Sequence, residues 1–315
     1  MKFIVINLFK RSFKQNYLIS LIEEIEPKIV ITHIDNSKDF HIMSKYFYKR
    51  IKFIAIQKAN RETKWALPSE CKKIFIPEYL CFSDYDKYIY KLKKTNVKNF
   101  HVIGSLVASL ANKYVKDKKI KINSQQYDIC LVGEAQPYRK WGDANHLEKL
   151  GFTVGTIAEY AHKFCKKYNL KLIFPSEYNK DDLKGYQKAK FFYKGYLKNY
   201  NFNYTLKKNK YSSYLDVMRS KVVIGATSTL LRESLAFNKK VLCCNYTGNT
   251  NAIHELPIKG FILRKSGYIL FEKKLLKILS LSKKNYMKQV RKNYFMLPKN
   301  KAINYTQSLV KSYLK

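Results

Sequence analysis

Apolar and polar positions alternate in two rhythms along the 315-residue chain. Short apolar runs have the length of buried strands, and between them apolar residues recur at the helical period of about 3.6. This alternation is typical of α/β units, in which helices cover parallel sheets. We therefore expect an α/β fold.

The first half of the chain predicts a small sheet with its helices. The strand-like runs are 3–7, 28–33, 52–57, 73–76, 79–82 and 100–103. The helical stretches are 14–26, 37–47 and 85–95. Segment 113–126 is charged and polar without periodic apolar residues, and we interpret it as a linker.

The second half predicts another cycle of strands and helices. Its strand-like runs are 127–132, 171–174, 191–193, 221–224 and 240–245. Its helical stretches are 156–169, 212–219, 229–237, 271–281 and 283–294. We expect two Rossmann-like domains that face a cleft, 1–118 and 124–315, with the last helices closing the second domain.

The formal net charge of +38 raises the question of an anionic partner, such as nucleic acid or a membrane surface. Lysine supplies most of the excess positive charge, whereas arginine is the residue that binds phosphates and bases through two parallel hydrogen bonds. The lysines are also distributed along the whole chain rather than clustered. We expect this charge chiefly to solvate the protein, with attraction to an anionic membrane surface as a second role. Specific nucleic-acid binding is not expected.

The chain carries no pattern for export or membrane insertion. Its apolar runs are shorter than the roughly 20 residues of a membrane span, and the amino terminus lacks a signal-peptide core. The six cysteines include no CxxC pair. We expect a cytoplasmic protein with reduced thiols. Its basic tail could rest on the inner face of the plasma membrane; a helix that packs across both domains with a solvated basic face is the alternative.

Segment 220–242, SKVVIGATSTLLRESLAFNKKVL, joins a buried strand to a helix through small and polar residues. Such a junction lies at the carboxyl end of a parallel strand, where α/β sheets bind ligands and helix amides bind phosphate. Glu233 lies five residues after Ser228 and four after Thr229, so it does not fit a capping box. We expect Thr227 and these three residues to bind a nucleotide; a plain helix cap is the alternative.

Other ligand signatures are missing from the sequence. It contains neither GxGxxG nor GxxxxGK[ST], which disfavours NAD and ATP and leaves a sugar nucleotide as the better candidate. The six histidines show no metal-ligand spacing, and no DxD has a supporting context. We expect no metal and no cofactor.

Residues 212–245, SSYLDVMRSKVVIGATSTLLRESLAFNKKVLCCN, resemble the donor-binding half of GT-B glycosyltransferases that build bacterial surface polysaccharide such as lipopolysaccharide or capsule. In that family the run Y-x-x-L-x-x-S-x-x-V-I-G-x-x-S-T-x-x-x-E places hydroxyls on the nucleotide phosphates and a glutamate near the ribose. Ser228, Thr229 and Glu233 occupy the corresponding positions. The resemblance further implies that Ser176, after strand 171–174, touches the base or ribose; an ordinary turn is the alternative.

Residues 32–61, THIDNSKDFHIMSKYFYKRIKFIAIQKANR, resemble a surface-carbohydrate group with D-N-x-x-x-F followed by I-A-I-Q-N-G-x-R. Lys58 and Ala59 replace the Asn-Gly pair. Residues 78–106, EYLCFSDYDKYIYKLKKTNVKNFHVIGSL, are similar to the segment that completes the first domain. We assign three matching residues to the acceptor side: Asn36, Gln57 and Arg61.

Glycosyl transfer with inversion needs a base for the acceptor hydroxyl and cations or amides for the leaving phosphate. Asp35, at the end of a strand, is the first candidate base, with an Asx turn as its alternative. Glu134 is the second. Arg139 and Lys140 follow in the same loop and could meet a phosphate or an acidic sugar, or could simply be solvated.

Together these patterns predict a glycosyltransferase that moves a sugar from a nucleotide-sugar donor to a surface polysaccharide or a lipid-linked glycan. The second domain would bind the donor and the first the acceptor. A sugar-nucleotide epimerase or hydrolase of the same fold is the alternative. A basic nucleic-acid-binding protein is the hypothesis from another class.

Overall fold

The computed structural model describes residues 12–59, 74–123, 125–133, 144–198, 202–226, 228–248, 261–291 and 301–315. They divide into two compact units. One contains the described residues up to 109 together with 301–315, and the other contains those from 110 to 291. Each unit has a parallel sheet with helices, so the predicted α/β class is confirmed. The predicted strand 3–7 lies outside the described residues.

The sheet of the first unit has four parallel strands in the order β1-β2-β3-β4. The strands are β1 (Ile29–Thr32), β2 (Lys52–Ile56), β3 (Phe75–Cys81) and β4 (Asn96–Val102). The helices are α1 (Phe13–Ile25), α2 (Lys38–Phe47) and α3 (Asp84–Leu92), and α4 (Leu106–Asp117) crosses the boundary to the second unit after residue 109. Helix α2 begins where the hydroxyl of Ser37 accepts a hydrogen bond from the Phe40 amide, and Phe40, Met43 and Phe47 fill the core beside it.

Two strands predicted at 73–76 and 79–82 form the single strand β3. Pro77 separates the two predicted runs, and proline has no N–H to donate to a strand ladder. Strand pairing is recorded on both sides of Pro77 but not at Pro77 itself. Phe75 and Ile76 pair with β4 before it, and Glu78 pairs with both β2 and β4 after it. The strand therefore continues through a position where no ladder bond is recorded.

Helix α11 (Lys301–Leu314) belongs to the first unit. Its side chains Leu309, Val310 and Tyr313 pack against Ile54 and Leu80 of the sheet. The sequence analysis placed this tail in the second domain, because proximity along the chain was the only guide. A complementary apolar face on the first sheet decides otherwise.

The sheet of the second unit has six parallel strands in the order β10-β9-β8-β5-β6-β7. The strands are β5 (Tyr127–Val132), β6 (Leu172–Pro175), β7 (Tyr204–Thr205), β8 (Ser220–Gly225), β9 (Lys240–Cys244) and β10 (Ile262–Leu263). The helices are α5 (Ala144–Lys167), α6 (Leu183–Leu197), α7 (Ser212–Met218), α8 (Thr229–Ala236), α9 (Tyr268–Ser280) and α10 (Lys283–Arg291). Counted within this unit the order is 3-2-1-4-5-6, the Rossmann arrangement.

Two predicted segments have another structure. The strand predicted at 191–193 lies inside α6, where Ala189, Tyr193 and Leu197 recur every four residues on the buried side. The predicted linker 113–126 begins inside α4, which continues to Asp117. In both cases the packing of one helical face overrides a local composition that favours strand or loop.

Two consecutive lysines tie helix ends to the second sheet. The ammonium of Lys239 donates to the carbonyls of Met218 and Ser220, where α7 ends and β8 begins. The ammonium of Lys240 donates to three carbonyls at the end of α9, at 2.8 to 2.9 Å: Ile278, Leu279 and Leu281. These cations satisfy carbonyls that a helix end leaves without intrahelical partners.

Replacement of Lys240 by methionine should lower the free energy of unfolding by about 2 kcal/mol, because three carbonyls lose a charged donor at once. Urea denaturation measures the change. Lys277→Met, which removes an exposed lysine from the same helix, should stay within about 0.5 kcal/mol of the wild type. Equal losses in the two variants would contradict the capping role.

Among the residues that the structure describes, no helix is long and apolar enough to span a bilayer.

Candidate functional site

The candidate site lies at the carboxyl edge of the second sheet. Strand order reverses between β5 and β8, so the connections after these two strands depart in opposite directions and open a crevice. Gly133 follows β5, and Gly225 is the last residue of β8. Ligands of such sheets bind at this point.

Gly225 brings the two strands together at the crevice. It pairs with Val132 of β5, and a Cβ atom at this glycine would lie 2.3 Å from the Val132 carbonyl oxygen. That distance is far inside van der Waals contact, so a side chain here would force the strands apart. The glycine therefore permits the close backbone approach that forms the floor of the site.

Helix α8 begins directly above this floor. The hydroxyl of Ser228 accepts a hydrogen bond from the Leu230 amide at 3.3 Å, and Thr229 is the first helical residue. Ser228 is thus an N-cap, as the alternative interpretation of the sequence held. A cap does not exclude a ligand, because a helix start carries several amides without intrahelical partners.

Glu233 is 3% exposed, and its carboxylate contacts a second helix. Its Oε2 accepts a hydrogen bond from the hydroxyl of Tyr214 on α7 at 2.7 Å. Burial and the adjacent carboxylate raise the pKa of Tyr214, so the phenol keeps its proton and acts as the donor. The sequence analysis predicted that Glu233 lies near a ribose. In the structure, Oε2 of Glu233 joins α7 to α8 through its hydrogen bond with Tyr214.

Ser176 follows β6 at the same edge and is buried. Its hydroxyl accepts a hydrogen bond from the Tyr178 amide at 3.0 Å, and its carbonyl accepts one from Ser213 Oγ at 3.1 Å. Lys207 donates its amide to the Tyr178 carbonyl, and burial lowers the pKa of its ammonium. The loops after β6 and β7 are therefore fastened to the start of α7.

Three polar residues of this edge were not found from the sequence: Lys207, Ser213 and Tyr214. Tyr214 lies at the tyrosine position of the surface-polysaccharide run, six residues before Ser220, so the pattern could have indicated it. Lys207 and Ser213 carried no signal that set them apart in a lysine-rich and serine-containing loop.

The carboxyl edge of the first sheet holds a buried carboxylate. Asp35, which follows β1, is fully buried, and its Oδ2 accepts hydrogen bonds from the hydroxyls of Tyr79 and Tyr90, each at 3.0 Å. Its Oδ1 lies 3.4 Å from the amide of Lys58. A general base must reach a substrate proton, and this carboxylate is enclosed by protein donors.

Gln57 lies beside Asp35 at that edge. Its Oε1 accepts a hydrogen bond from the Phe82 amide at 2.8 Å, and its Nε2 donates to Asp86 Oδ1 at 2.7 Å. Ser83 donates to the other Asp86 oxygen, also at 2.7 Å. The loops after β1, β2 and β3 are thus joined through two buried carboxylates. Sequence reasoning missed Asp86, since it lies in an ordinary-looking first helical turn.

The remaining predicted site residues divide into two groups. Asn36 is described and exposed, next to Asp35. Five others lie outside the described residues: Arg61, Glu134, Arg139, Lys140 and Thr227. No cluster of three or more potential metal-ligating side chains is present in the described part of the chain.

One perturbed carboxylate lies away from both edges described above. Burial raises the pKa of Asp216 to about 6, and nearby Arg219 opposes this shift. Asp216 is in the last turn of α7, next to the amino end of β8. Its shift therefore reflects helix packing rather than the candidate site.

Asp216→Asn should raise the free energy of unfolding at pH 7 by about 1 to 2 kcal/mol. The folded state binds this proton more tightly than the unfolded state, so the wild type loses stability as the pH rises from about 4 to about 6. Asparagine does not titrate. Urea titrations at about pH 4 and at pH 7, below and above this window, should give a small difference between the two proteins at the acid pH and a larger one at pH 7; equal differences would contradict the shift.

Residues 80–256 match the sequence family described as "putative O-antigen biosynthesis protein". This match covers more than half of the chain, which belongs to that family. No curated protein matches the chain in sequence.

Several solved structures share the fold of this chain at low sequence identity. Staphylococcus aureus MnaA in complex with UDP has a TM-score of 0.62 at 14% identity, over 99% of this chain and 81% of that one. UDP-GlcNAc 2-epimerase from Neisseria meningitidis, bound to UDP-GlcNAc, gives 0.59 at 16%, over 98% and 84%. Sucrose-phosphate synthase from Thermosynechococcus elongatus gives 0.52 at 10%, over 96% and 77%. The fold of this chain is therefore GT-B-like.

Proposed function

We propose that this protein is an enzyme of surface-polysaccharide biosynthesis that binds a nucleotide sugar at the carboxyl edge of its second sheet and transfers the sugar to a glycan or lipid-linked acceptor. The observation that carries the proposal is the switch-point crevice, with its glycine floor at Gly225 and the capped start of α8 above it. Membership of the O-antigen family supports the glycan product. The UDP and UDP-GlcNAc bound to two proteins of the same fold support the nucleotide sugar.

In this proposal the first amides of α8, with Ser228 and Thr229, bind the diphosphate. Arg139 and Lys140 place their positive charges next to the leaving phosphate. Thr227 donates a hydrogen bond to it from its hydroxyl. Ser176 lies toward the base or ribose. The groups at the diphosphate stabilise the charge that develops as the glycosidic bond to phosphate breaks.

The acceptor side of the proposal rests on Asn36 and Arg61. Asp35 and Gln57 act through their hydrogen bonds, which fix the loops after β1, β2 and β3, rather than by touching the substrate. This leaves Glu134 as the candidate general base. The role that we first assigned to Asp35 becomes that of a positioning residue.

Epimerisation of a sugar nucleotide is the second candidate reaction. It is favoured by the 2-epimerases with TM-scores of 0.59 and 0.60 over 98% and 95% of this chain, from Neisseria meningitidis and Methanocaldococcus jannaschii. An epimerase would use the same nucleotide site but would need no acceptor.

Ligand binding and product analysis test the proposal in two stages. UDP-, GDP-, CDP- and CMP-linked sugars are first compared for their effect on the melting temperature, since a ligand at 100 times its Kd stabilises the native state by about 2.7 kcal/mol. Absence of a shift with all four would contradict a nucleotide-sugar site. Products are then followed with and without acceptor glycans: a transferase consumes donor only with acceptor, an epimerase converts it alone, and a hydrolase releases free sugar alone.

Glu233 remains at the ribose in this proposal, through the carboxylate that also accepts a hydrogen bond from Tyr214. Glu233→Gln should then weaken nucleotide-sugar binding by about tenfold or more, because the ribose loses a charged acceptor worth roughly 1.5 kcal/mol or more. Tyr214→Phe is the matched control. It breaks the same hydrogen bond between α7 and α8 but keeps the carboxylate, so its affinity should stay within about threefold of the wild type. Titration calorimetry compares the two, and equal losses would assign Glu233 to helix packing alone.

A further inference from the structure

Helix α6 carries a row of cations on its exposed side. Lys184, Lys188, Phe191 and Lys194 follow one another at intervals of four, three and three residues, which is the spacing of one helical face, and Lys198 is the C-cap residue that ends the helix. All five are exposed. We call this set the α6 stripe; its helical part, from Lys184 to Lys194, is about 15 Å long at 1.5 Å per residue.

The centre of the α6 stripe is apolar. Phe191 is 72% exposed, although the opposite face of the same helix buries Ala189, Tyr193 and Leu197 in the core. Phe191 is therefore not needed to hold the helix on the sheet. Single exposed apolar side chains are common on protein surfaces, so the relevant feature of Phe191 is its position within a row of cations.

The charge of the α6 stripe is not balanced within the helix. Residues 183–197 contain no aspartate or glutamate. Asp182 precedes them, and its carboxylate is engaged as the N-cap of α6 through the Gly185 amide at 2.9 Å. Among the ion pairs recorded for the described residues, none involves Lys184, Lys194 or Lys198.

We propose that the α6 stripe docks on a lipid bilayer that contains anionic phospholipid. The lysines would meet the headgroups, each adding attraction, and Phe191 would enter the boundary between headgroups and acyl chains. Two observations favour a bilayer over nucleic acid: the cations are all lysine rather than arginine, and an exposed aromatic ring lies among them. The α6 stripe shares no residue with the candidate nucleotide site, so docking is separate from the proposed function.

Sedimentation with lipid vesicles tests the α6 stripe. The full chain should bind vesicles of phosphatidylglycerol and phosphatidylcholine far better than vesicles of phosphatidylcholine alone, and added salt should weaken the binding. Replacing the four lysines together by glutamine should lower the partition coefficient by about a hundredfold or more, at about fivefold for each charge near the surface. Phe191→Ala should lower it by about fivefold.

Matched control variants distinguish binding through the α6 stripe from a general attraction between a basic protein and an anionic membrane. Glutamine at four exposed lysines elsewhere gives the same total charge: Lys116, Lys118, Lys119 and Lys121. Phe13→Ala removes another exposed ring. Both controls should bind within about threefold of the wild type, and circular dichroism and urea midpoints should show every variant folded.

Three results would overturn the proposal. The first is equal loss in the stripe and control variants, and the second is equal binding to both kinds of vesicle. The third is tighter binding of the wild type to a DNA or RNA oligonucleotide that is lost with the stripe lysines, which would assign the surface to nucleic acid.

Discussion

Gly225→Ala should lower the free energy of unfolding by about 3 kcal/mol, near the upper end for overpacking a core. The new methyl group would lie 2.3 Å from the Val132 carbonyl oxygen. That oxygen belongs to the backbone of a paired central strand, so it cannot move away from the methyl group as the end of a flexible side chain could. Because this pair forms the floor of the candidate site, nucleotide-sugar binding should fall as well. Urea denaturation and calorimetry measure the two effects.

Gly195→Ala is the matched control for this experiment. A Cβ atom at Gly195 meets nothing within 4 Å, and the residue lies in the interior of α6. Alanine is the better helix former, so this variant should gain about 0.5 to 1 kcal/mol. Wild-type stability in Gly225→Ala would show that the two strands can separate at no cost and would remove the argument for a glycine floor.

Asp35→Ala should lower the free energy of unfolding by about 3 kcal/mol, because two buried tyrosine hydroxyls and one amide lose their acceptor together. Tyr79→Phe and Tyr90→Phe each remove one of these bonds and should cost about 1 kcal/mol. Stability measurements on the three variants, combined in double-mutant cycles, give the coupling of the network.

Asp35→Asn distinguishes a positioning residue from a general base. Asparagine keeps an oxygen acceptor and nearly the same shape, so a positioning residue should retain much of kcat and change its pH profile little. Loss of kcat by a hundredfold or more, with unchanged unfolding free energy, would restore Asp35 as the base.

The second sheet shows how much of a site a local pattern can predict. The strand β8 and the helix α8 begin and end within one residue of the positions read from segment 220–242. Ser228 was placed at their junction from the same run. Such predictions succeed because strand and helix periods, caps and glycines act over a few residues.

The direction of the functional side chains could not be read in this way. Asp35 meets hydroxyls 44 and 55 residues further along the chain, and Glu233 meets Tyr214, which precedes it by 19 residues. The sequence placed Asp35 after a strand and Glu233 in a helix, and the two residues lie after β1 and within α8. Their partners were unknown, because nothing in the local pattern marks which of 26 tyrosines will donate to them.

The sequence by itself determined the α/β class, the element at most positions and the strand-to-helix junction of the candidate site. The tertiary structure alone decided that 191–193 is helix, that α11 joins the first sheet, and that Lys239 and Lys240 cap helix ends. The physical reason is range: propensity and periodicity act within a turn or a strand, whereas these outcomes depend on apolar faces and carbonyls that meet only after the chain has folded.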